Sequence, residues 1–549
     1  MTRRIVRTGI QIGVFASILL LLAYLLDNRY SVLPTSIHNQ FPAHHPGLIV
    51  TDIQVKFCSS LNPLSSCAPD SEHWQVIDKE LYLGTVWFSR AYAYVMRMKE
   101  EELGQGDKVV LDVRISRLDP GISEKSQSTV KWESRNAGLW LKRSARHADS
   151  DSKQAVTAVD LLFGADAVEP RTGWEIKDPP LLLNTAGETQ EARLTMRRGQ
   201  PSEHEKVVPR VRKDGKFKIM QAADLHLSTG FGHCRDTEPD GKNGNRCDAD
   251  TRTLEFVGRL LDDEKPDLVV LSGDQVNGET APDAQSAIFK FAELFIQRKI
   301  PYAAIFGNHD DEGSLPRSAQ MELLQTLPYS LSNPGPNTID GVGNYVVEVL
   351  ARGNSQHSAF TLYLLDTHSY SPDEGNFAGY DWIKPNQIQW FKDTAKALKK
   401  EHSKYSMIHL SMAFIHIPIP EYTDPSAMRV GQYREPPTAP MFNSGFRDAL
   451  VEEGVVFVSC GHDHVNDYCA LSQSSETHRP ELWMCYAGGS GYGGYGGWGG
   501  YDRRLRFFEL DTNEARITTW KRVDGPNEQA KKTQLDRQII VEAGKVIGE

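Results

Sequence analysis

The chain has no excess of positive charge: 72 Asp and Glu against 61 Lys and Arg leave a formal net charge of -11. An acidic surface repels a nucleic-acid backbone, so no nucleic-acid partner is expected, and any phosphate the protein binds needs a local source of positive charge. Asn-x-Ser/Thr sequons, the acceptors of N-glycans, are absent. Long apolar runs are absent too, with one exception near the start. Cysteine is scarce: the seven residues fall as three close pairs, Cys58/Cys67, Cys234/Cys247 and Cys469/Cys485, with Cys460 left over. At 40% hydrophobic and 24% charged residues the composition is that of a globular protein, and 549 residues exceed what one core usually supports. Two folded regions are expected.

The exception is Ile10 to Leu26, a nearly unbroken apolar run behind a basic tail (residues 1–9) that carries Arg3, Arg4 and Arg7. Its length just suffices to span a bilayer. The residues that follow, Asp27, Asn28, Arg29 and Tyr30, make no small-x-small cleavage site, so a retained transmembrane signal anchor over 10–26 is expected rather than a cleaved signal. With the basic flank in the cytosol, the remainder faces a lumen. The expectation is a single-pass membrane protein of the secretory pathway or vacuole, held to the membrane by this helix, with cytoplasmic residence as the alternative. The cysteine pairs suit an oxidising compartment, and the missing sequons speak against it.

Beyond a polar juncture, Leu48 to Phe57, Lys108 to Ile115 and Thr129 to Leu141 alternate with period two, which predicts a small β-rich domain over 47–186. Residues 187–216 are charged and poor in apolar side chains, as in a linker, and 523–549 read as a polar tail. Between them, over 217–522, short apolar strands end in polar turns with helical segments interspersed (Thr251 to Asp262 is one). This is an α/β layered domain whose chemistry belongs at the carboxyl ends of its strands.

Five segments sit at such ends: Asp224-Leu225-His226, Gly273-Asp274, Gly307-Asn308-His309-Asp310, His416, and Gly461-His462-Asp463-His464. On an extended segment the i, i+2 spacing of Asp224 and His226 lets both bind one metal, whereas His462 and His464 follow a turn and could serve different ions. Two ions about 4 Å apart need a bridging carboxylate, and Asp274 stands alone on its loop. Asn308 and four imidazoles complete the set without piling up negative charge. His416 is preferred to His409 because it lies where its strand meets Pro418. Asp366 and His368 find no vacant position and are expected only as supports behind the ligands. Arg503, Arg504 and Arg506 read as a solvated charge run. The glycines of Gly488 to Gly500 permit tight backbone approach, with Tyr492, Tyr495 and Trp498 expected to line a substrate cleft, and the polar insertion from Phe231 to Asp248 is expected over the mouth of the site; a surface loop is the alternative for each.

The ordered set D-x-H, G-D, G-N-H-D, a lone His and G-H-x-H resembles the calcineurin-like metallophosphoesterase superfamily, over about Phe217 to Arg522. The contexts AADLHLSTG, LVVLSGDQVNG and IFGNHDDEG are most similar to the purple-acid-phosphatase-like branch, nearest to the fungal dosage-dependent cell-cycle regulator phosphatases. The resemblance implies a layered β-sandwich flanked by helices. It also implies that Asp224, His226, Asp274 and His464 hold one ion, and that Asp274, Asn308, His416 and His462 hold the other. Purple acid phosphatases carry a tyrosine three residues after the bridging aspartate. Here that residue is Asn277, so the iron-tyrosinate colour should be missing and manganese, iron or zinc all fit as divalent or mixed-valence ions. The expected reaction is hydrolysis of phosphomonoesters, phosphoserine or phosphothreonine of proteins among them, by water activated at the ions. His309 assists the leaving group and Asp310 orients its ring. Phosphodiester or nucleotide hydrolysis, and a tethered scaffold that binds phosphorylated partners, are the alternatives.

Overall fold

The structure, a computed structural model, describes residues 13–18, 22, 48–59, 67, 73–99, 102–104, 106–122, 130–145, 154–183, 190–201, 206–237, 247–406, 408–497, 500–525 and 527–548. Among them no helix is long and apolar enough to cross a membrane, and most of the expected anchor over 10–26 lies outside them. Two units emerge, one of residues 1–165 with 171–203, the other of 166–170 with 204–549.

Among the described residues the first unit has nine antiparallel strands: β1 (Leu48–Ser59), β2 (Trp74–Glu80), β3 (Ser89–Lys99), β4 (Lys108–Ile115), β5 (Trp132–Ser134), β6 (Leu139–Ala145), β7 (Val156–Phe163), β8 (Trp174–Ile176) and β9 (Ala192–Arg198). They form three sheets of one topology, β1-β3-β2, β4-β6-β5 and β7-β9-β8. The repetition is chemical as well. The first strand of each sheet holds an aspartate, Asp52, Asp112 or Asp160, that accepts the N–H of the following residue at 2.7 to 2.9 Å. Each aspartate also faces a cation from another sheet: Arg135 on Asp52 (2.9 Å), Lys177 on Asp112 (3.3 Å) and Lys79 on Asp160 (3.9 Å). The second sheet thus binds the first, the third the second, and the first the third, which closes a ring around a shared apolar core that includes Val55, Val113, Leu141, Leu161 and Leu194. This is an internal threefold repeat. The sequence shows it only as Asp-apolar in β1, β4 and β7 and a tryptophan opening β2, β5 and β8.

One boundary changes accordingly. Residues 192–198, expected within a linker over 187–216, are the central strand of the third sheet, with Leu194 and Met196 buried. The apolar alternation there is only three residues deep between arginines, too short to read as a strand without its partners.

The second unit contains two seven-stranded sheets. One has the order β12-β11-β10-β20-β21-β22-β23 and the other β13-β14-β15-β17-β19-β18-β16. In chain order the strands are β10 (Lys216–Ala222), β11 (Leu268–Ser272), β12 (Tyr302–Ile305), β13 (Tyr345–Leu350), β14 (Ser358–Leu364), β15 (Leu410–Phe414), β16 (Met428–Val430), β17 (Val455–Cys460), β18 (Cys469–Gln473), β19 (Pro480–Tyr486), β20 (Arg504–Asp511), β21 (Arg516–Val523), β22 (Leu535–Glu542) and β23 (Lys545–Val546). Phe217, Ile219, Val270 and Ile305 of the first sheet meet Phe360, Leu362, Met412 and Phe457 of the second in one core. Phe457 stacks on Phe508 across it at 4.3 Å. Helices α1 (Ala249–Glu264), α2 (Ala284–Arg298) and α3 (Arg317–Gln325) follow strands of the first sheet, while α4 (Pro385–His402) and α5 (Phe446–Glu452) cover the outer face of the second through Phe391, Ala395, Phe446 and Leu450. A short α6 (Glu528–Lys532) precedes β22. The layered α/β sandwich is therefore present.

Residues 523–549 do not form a polar tail: β22 pairs with β21, and its Ile540 and Val541 are fully buried in the core between the sheets. Three contiguous apolar residues, Ile539 to Val541, give little signal, and the edge of the sheet supplies the missing half of their environment. Cysteines 58 and 67, 234 and 247, and 469 and 485 are disulfide-bonded, and Cys460 is free and buried. The last pair lies in register across the β18–β19 hairpin.

Glu133 supplies a stability test of the ringed unit. Burial alone would raise its pKa, but hydrogen bonds from Lys108, Arg143 and Arg135 outweigh it and hold the carboxyl down to about 2. A carboxylate depressed in the folded state adds stability above its unfolded pKa and loses it as pH falls through the folded value. Glu133→Gln should therefore lower the melting temperature of this unit at pH 7, by the equivalent of ~1 kcal/mol for a partly exposed network. The difference from wild type should shrink between about pH 4.5 and pH 2, as followed by calorimetry.

Candidate metal centre

Parallel strands bring their carboxyl ends to one edge of each sheet, and the sandwich sets the two edges side by side. From the first sheet, β10 leads to Asp224 and His226, β11 to Asp274 and β12 to Asn308; from the second, β15 leads to His416 and β17 to His462 and His464. All seven are buried. Donor atoms of Asp224, His226, Asp274 and His464 lie within 4.8 Å of one another, and so do those of Asp274, His416 and His462. Asp274 belongs to both groups. The Asn308 Oδ1 lies 3.3 Å from His416 Nε2, at the second group.

The backbone reaches this arrangement at a cost. Asp224, His226, Asp274 and His462 have φ of 56°, 47°, 53° and 76°, in the left-handed region that side-chain-bearing residues rarely occupy. Such strain persists where surrounding structure and function require it. Close approach is equally strict: a Cβ on Gly307 would overlap the Asp274 carboxylate and lie 2.6 Å from His416 Nε2, and one on Gly494 would lie 2.5 Å from the His464 ring.

The imidazoles present nitrogen lone pairs inward. His416 Nδ1 donates to the Ser272 carbonyl (2.9 Å) and His464 Nδ1 to the Tyr495 carbonyl (3.0 Å), which turns each Nε2 toward the other donors. The Nε2 atoms of His226 and His464 converge to 3.1 Å. Burial holds His226 and His462 well below the usual histidine range, as neutral rings. For His416 burial acts the same way, but the Asp274 carboxylate 3.4 Å away outweighs it and lifts the ring to about 9. Burial likewise opposes ionisation of Asp274, yet His416 and His226 keep its carboxyl well below the usual range. Converging lone pairs and carboxylates in a buried site repel one another unless cations lie among them, so the two donor groups fit metal ions.

Several assignments shift once the supports are visible. Asp310 does not orient His309: its carboxylate accepts the N–H groups of Asp274 (2.8 Å), Val276 (2.9 Å) and Gly307 (2.7 Å), and so ties two of the site loops together. Burial and the neighbouring Asp274 push it up to about 6. Glu312 lies against the His309 ring instead, with Oε2 2.7 Å from Nδ1. His309 is at the mouth, its side chain 33% exposed; burial disfavours its charged form, but Asp274 and Glu312 together raise its pKa. Asp366 pairs with the buried Arg317, whose guanidinium also binds the Gly307 carbonyl, and His368 bonds Gln387, so both stand behind the donors. His409 lies before β15, stacked on His402 at 3.7 Å and bonded to Thr361, away from both groups.

The arginine run is not a solvated face. Arg503, Arg504 and Arg506 are at most 2% exposed. Arg503 binds the carbonyls of Gly491 and Gly494, Arg504 that of His464, and Arg506 those of Tyr486 and Asp467. These cations therefore hold the glycine-rich segment and the G-H-x-H turn in place. Tyr495 of that segment stacks on His464 at 3.9 Å while its hydroxyl donates to Glu435. Tyr492 is buried and bonded to Asp524, whereas Trp498 lies outside the described residues. The Phe231–Asp248 insertion touches the same segment, Arg235 N–H to the Tyr492 carbonyl at 2.9 Å, and its residues 238–246 also lie outside the described residues.

An α/β sandwich with two carboxylates, four imidazoles and an amide at its strand ends defines a metal-dependent hydrolase of phosphoric esters. Comparison with known proteins agrees. Residues 217–466 match the family model described as calcineurin-like phosphoesterase. Phosphatase DCR2 of Saccharomyces cerevisiae is 40% identical over 67% of this chain, a match that spans 64% of that protein's own length. An uncharacterized protein of Schizosaccharomyces pombe is 32% identical over 90% of each chain. The protein named probable inactive purple acid phosphatase 14 of Arabidopsis thaliana is 40% identical over 59% of this chain and 85% of its own. The chain belongs to the calcineurin-like phosphoesterases, a family of metallophosphoesterase hydrolases.

A proton on His416 must leave before Nε2 can bind a metal. Loading the metal-free protein should therefore release protons, and affinity should rise with pH up to about 9, by at most about tenfold per unit for one displaced proton. Titration calorimetry in buffers of different ionisation enthalpy reads this directly, and pH-independent affinity would contradict it.

Proposed function

We propose that the protein is a phosphomonoesterase in which Asp224, His226, Asp274 and His464 hold one divalent or mixed-valence ion and Asp274, Asn308, His416 and His462 the other. The observation that carries the reading is the shared position of Asp274 between two donor groups. Ions held by these residues would supply Lewis acidity toward phosphoryl oxygens and water, and the positive charge that an acidic surface does not. His309, beside the donors and reachable from solvent, donates to the leaving oxygen. Asp310 and Arg317 keep the loops of Asp274 and Asn308 in place, and Tyr495 keeps the His464 ring in one tautomer.

The complete donor set favours turnover over a purely binding role, even though an Arabidopsis relative carries the word inactive in its name. Phosphorylated serine or threonine of proteins is the substrate class we favour, in keeping with the relative named as a phosphatase. Asn277 in place of tyrosine means that the loaded protein is not purple, whether it holds manganese, iron or zinc. The disulfides and the arginine-flanked run over 10–26 support a membrane-anchored enzyme whose catalytic region faces a lumen.

Asp274→Asn should abolish turnover and lower bound metal together, whereas His309→Ala should slow turnover about 10²-fold or more with metal retained. Metal loss in the His309 variant would contradict its assignment. A parallel assay of para-nitrophenyl phosphate, its bis ester, nucleotides and a phosphoserine peptide checks the substrate class, and dominant diesterase activity would overturn it.

A further inference from the structure

The ring of His309 is held from outside the metal centre. Its Nδ1 lies 2.7 Å from Glu312 Oε2, and the other oxygen of that carboxylate accepts the Tyr370 hydroxyl at 3.3 Å. Tyr370 stacks on Tyr380 at 5.6 Å, and Tyr380 stands edge-on to His462 at 4.3 Å. The two tyrosines face each other in an antiparallel bridge, with the Ser371 N–H donated to the Gly379 carbonyl at 2.8 Å, so both rings ride on one small hairpin. Phe377, at its tip, packs against Trp382 and Phe442 at 5.4 and 5.2 Å. The hairpin thus has its own aromatic footing and can act as a brace.

Neither Glu312 nor Tyr370 is there for the core. Tyr370 is 51% exposed, the Glu312 side chain is 25% exposed, and Glu312 belongs to neither donor group. A half-exposed tyrosine that spends its hydroxyl on a carboxylate, which in turn grips one imidazole nitrogen, fixes the rotation of that ring. With Nδ1 engaged, the opposite nitrogen has one direction left to point.

We propose that Glu312 and Tyr370 are positioning residues that aim His309 Nε2 at the leaving oxygen, and that the hairpin carrying Tyr370 and Tyr380 is the leaving-group side of the site. The proposal rests on the role given to His309 above. As a water oxygen bonds to phosphorus and gives up a proton to solvent, the bond from phosphorus to the leaving oxygen breaks; its electron pair stays on that oxygen, which takes the proton from Nε2, and the ring, open to solvent, is then reprotonated from water.

A leaving group that is stable as an anion hardly needs that proton, and one that is not needs it badly. The test is therefore made on the full-length, metal-loaded protein with two monoesters, 4-nitrophenyl phosphate and phenyl phosphate. Glu312→Ala should cut kcat on phenyl phosphate about tenfold further than on 4-nitrophenyl phosphate, with metal content and melting temperature as in wild type. Tyr370→Phe should shift the same ratio in the same direction by about threefold. Equal losses on both esters, no loss, or loss of metal would overturn the proposal. His309→Ala is the reference: if it produces the split and Glu312→Ala does not, only the positioning fails, and if His309→Ala produces none, the role of His309 itself falls.

Discussion

The whole of the second unit is organised around one unfavourable contact. Two carboxylates and four imidazoles are gathered, buried, into two groups whose donor atoms lie within 4.8 Å of one another, with the Nε2 atoms of His226 and His464 3.1 Å apart. Pairing of His416 with Asp274 offsets part of that convergence, and cations would offset the rest. The strained φ of four donor residues, the glycines that no side chain can replace, and the Asp310 carboxylate that gathers three N–H groups all serve to hold the donors where they would otherwise spread apart. The sandwich makes this possible because parallel strands of both sheets end at the same edge, so that each donor loop is short and anchored at its base.

The first unit solves a different problem with a similar device. Each three-stranded sheet is a repeat unit that cannot cover its own apolar face. They share one core, and the cyclic pairing of Asp52, Asp112 and Asp160 with cations of neighbouring sheets sets their order around it. Partly exposed ion pairs add little stability individually, and their contribution here is to orientation.

The chemistry was the most legible part of the sequence, because each donor follows an apolar strand and the order of motifs is diagnostic. All seven predicted donors converge, and His416 rather than His409 is the histidine that joins them. What the sequence concealed depends on three-dimensional neighbours. Asp310 and Glu312 are two carboxylates on one turn, and only their backbone direction decides which meets the His309 ring. Arg503, Arg504 and Arg506 look like surface charge until β20 is seen at the centre of a sheet with backbone carbonyls around it. The threefold repeat is hard to read in the sequence because it is carried by three aspartates and three tryptophans scattered between Asp52 and Trp174. The strands at 192–198 and 535–542 carry apolar runs too short to announce themselves without their partners.

The central claim is that two ions share Asp274. Anomalous diffraction from crystals of the metal-loaded protein tests it most directly. Two peaks should appear, one on either side of the Asp274 carboxylate, the first among Asp224, His226 and His464 and the second among Asn308, His416 and His462. A single peak under saturating metal, or a pair that leaves Asp274 unshared, would contradict the account.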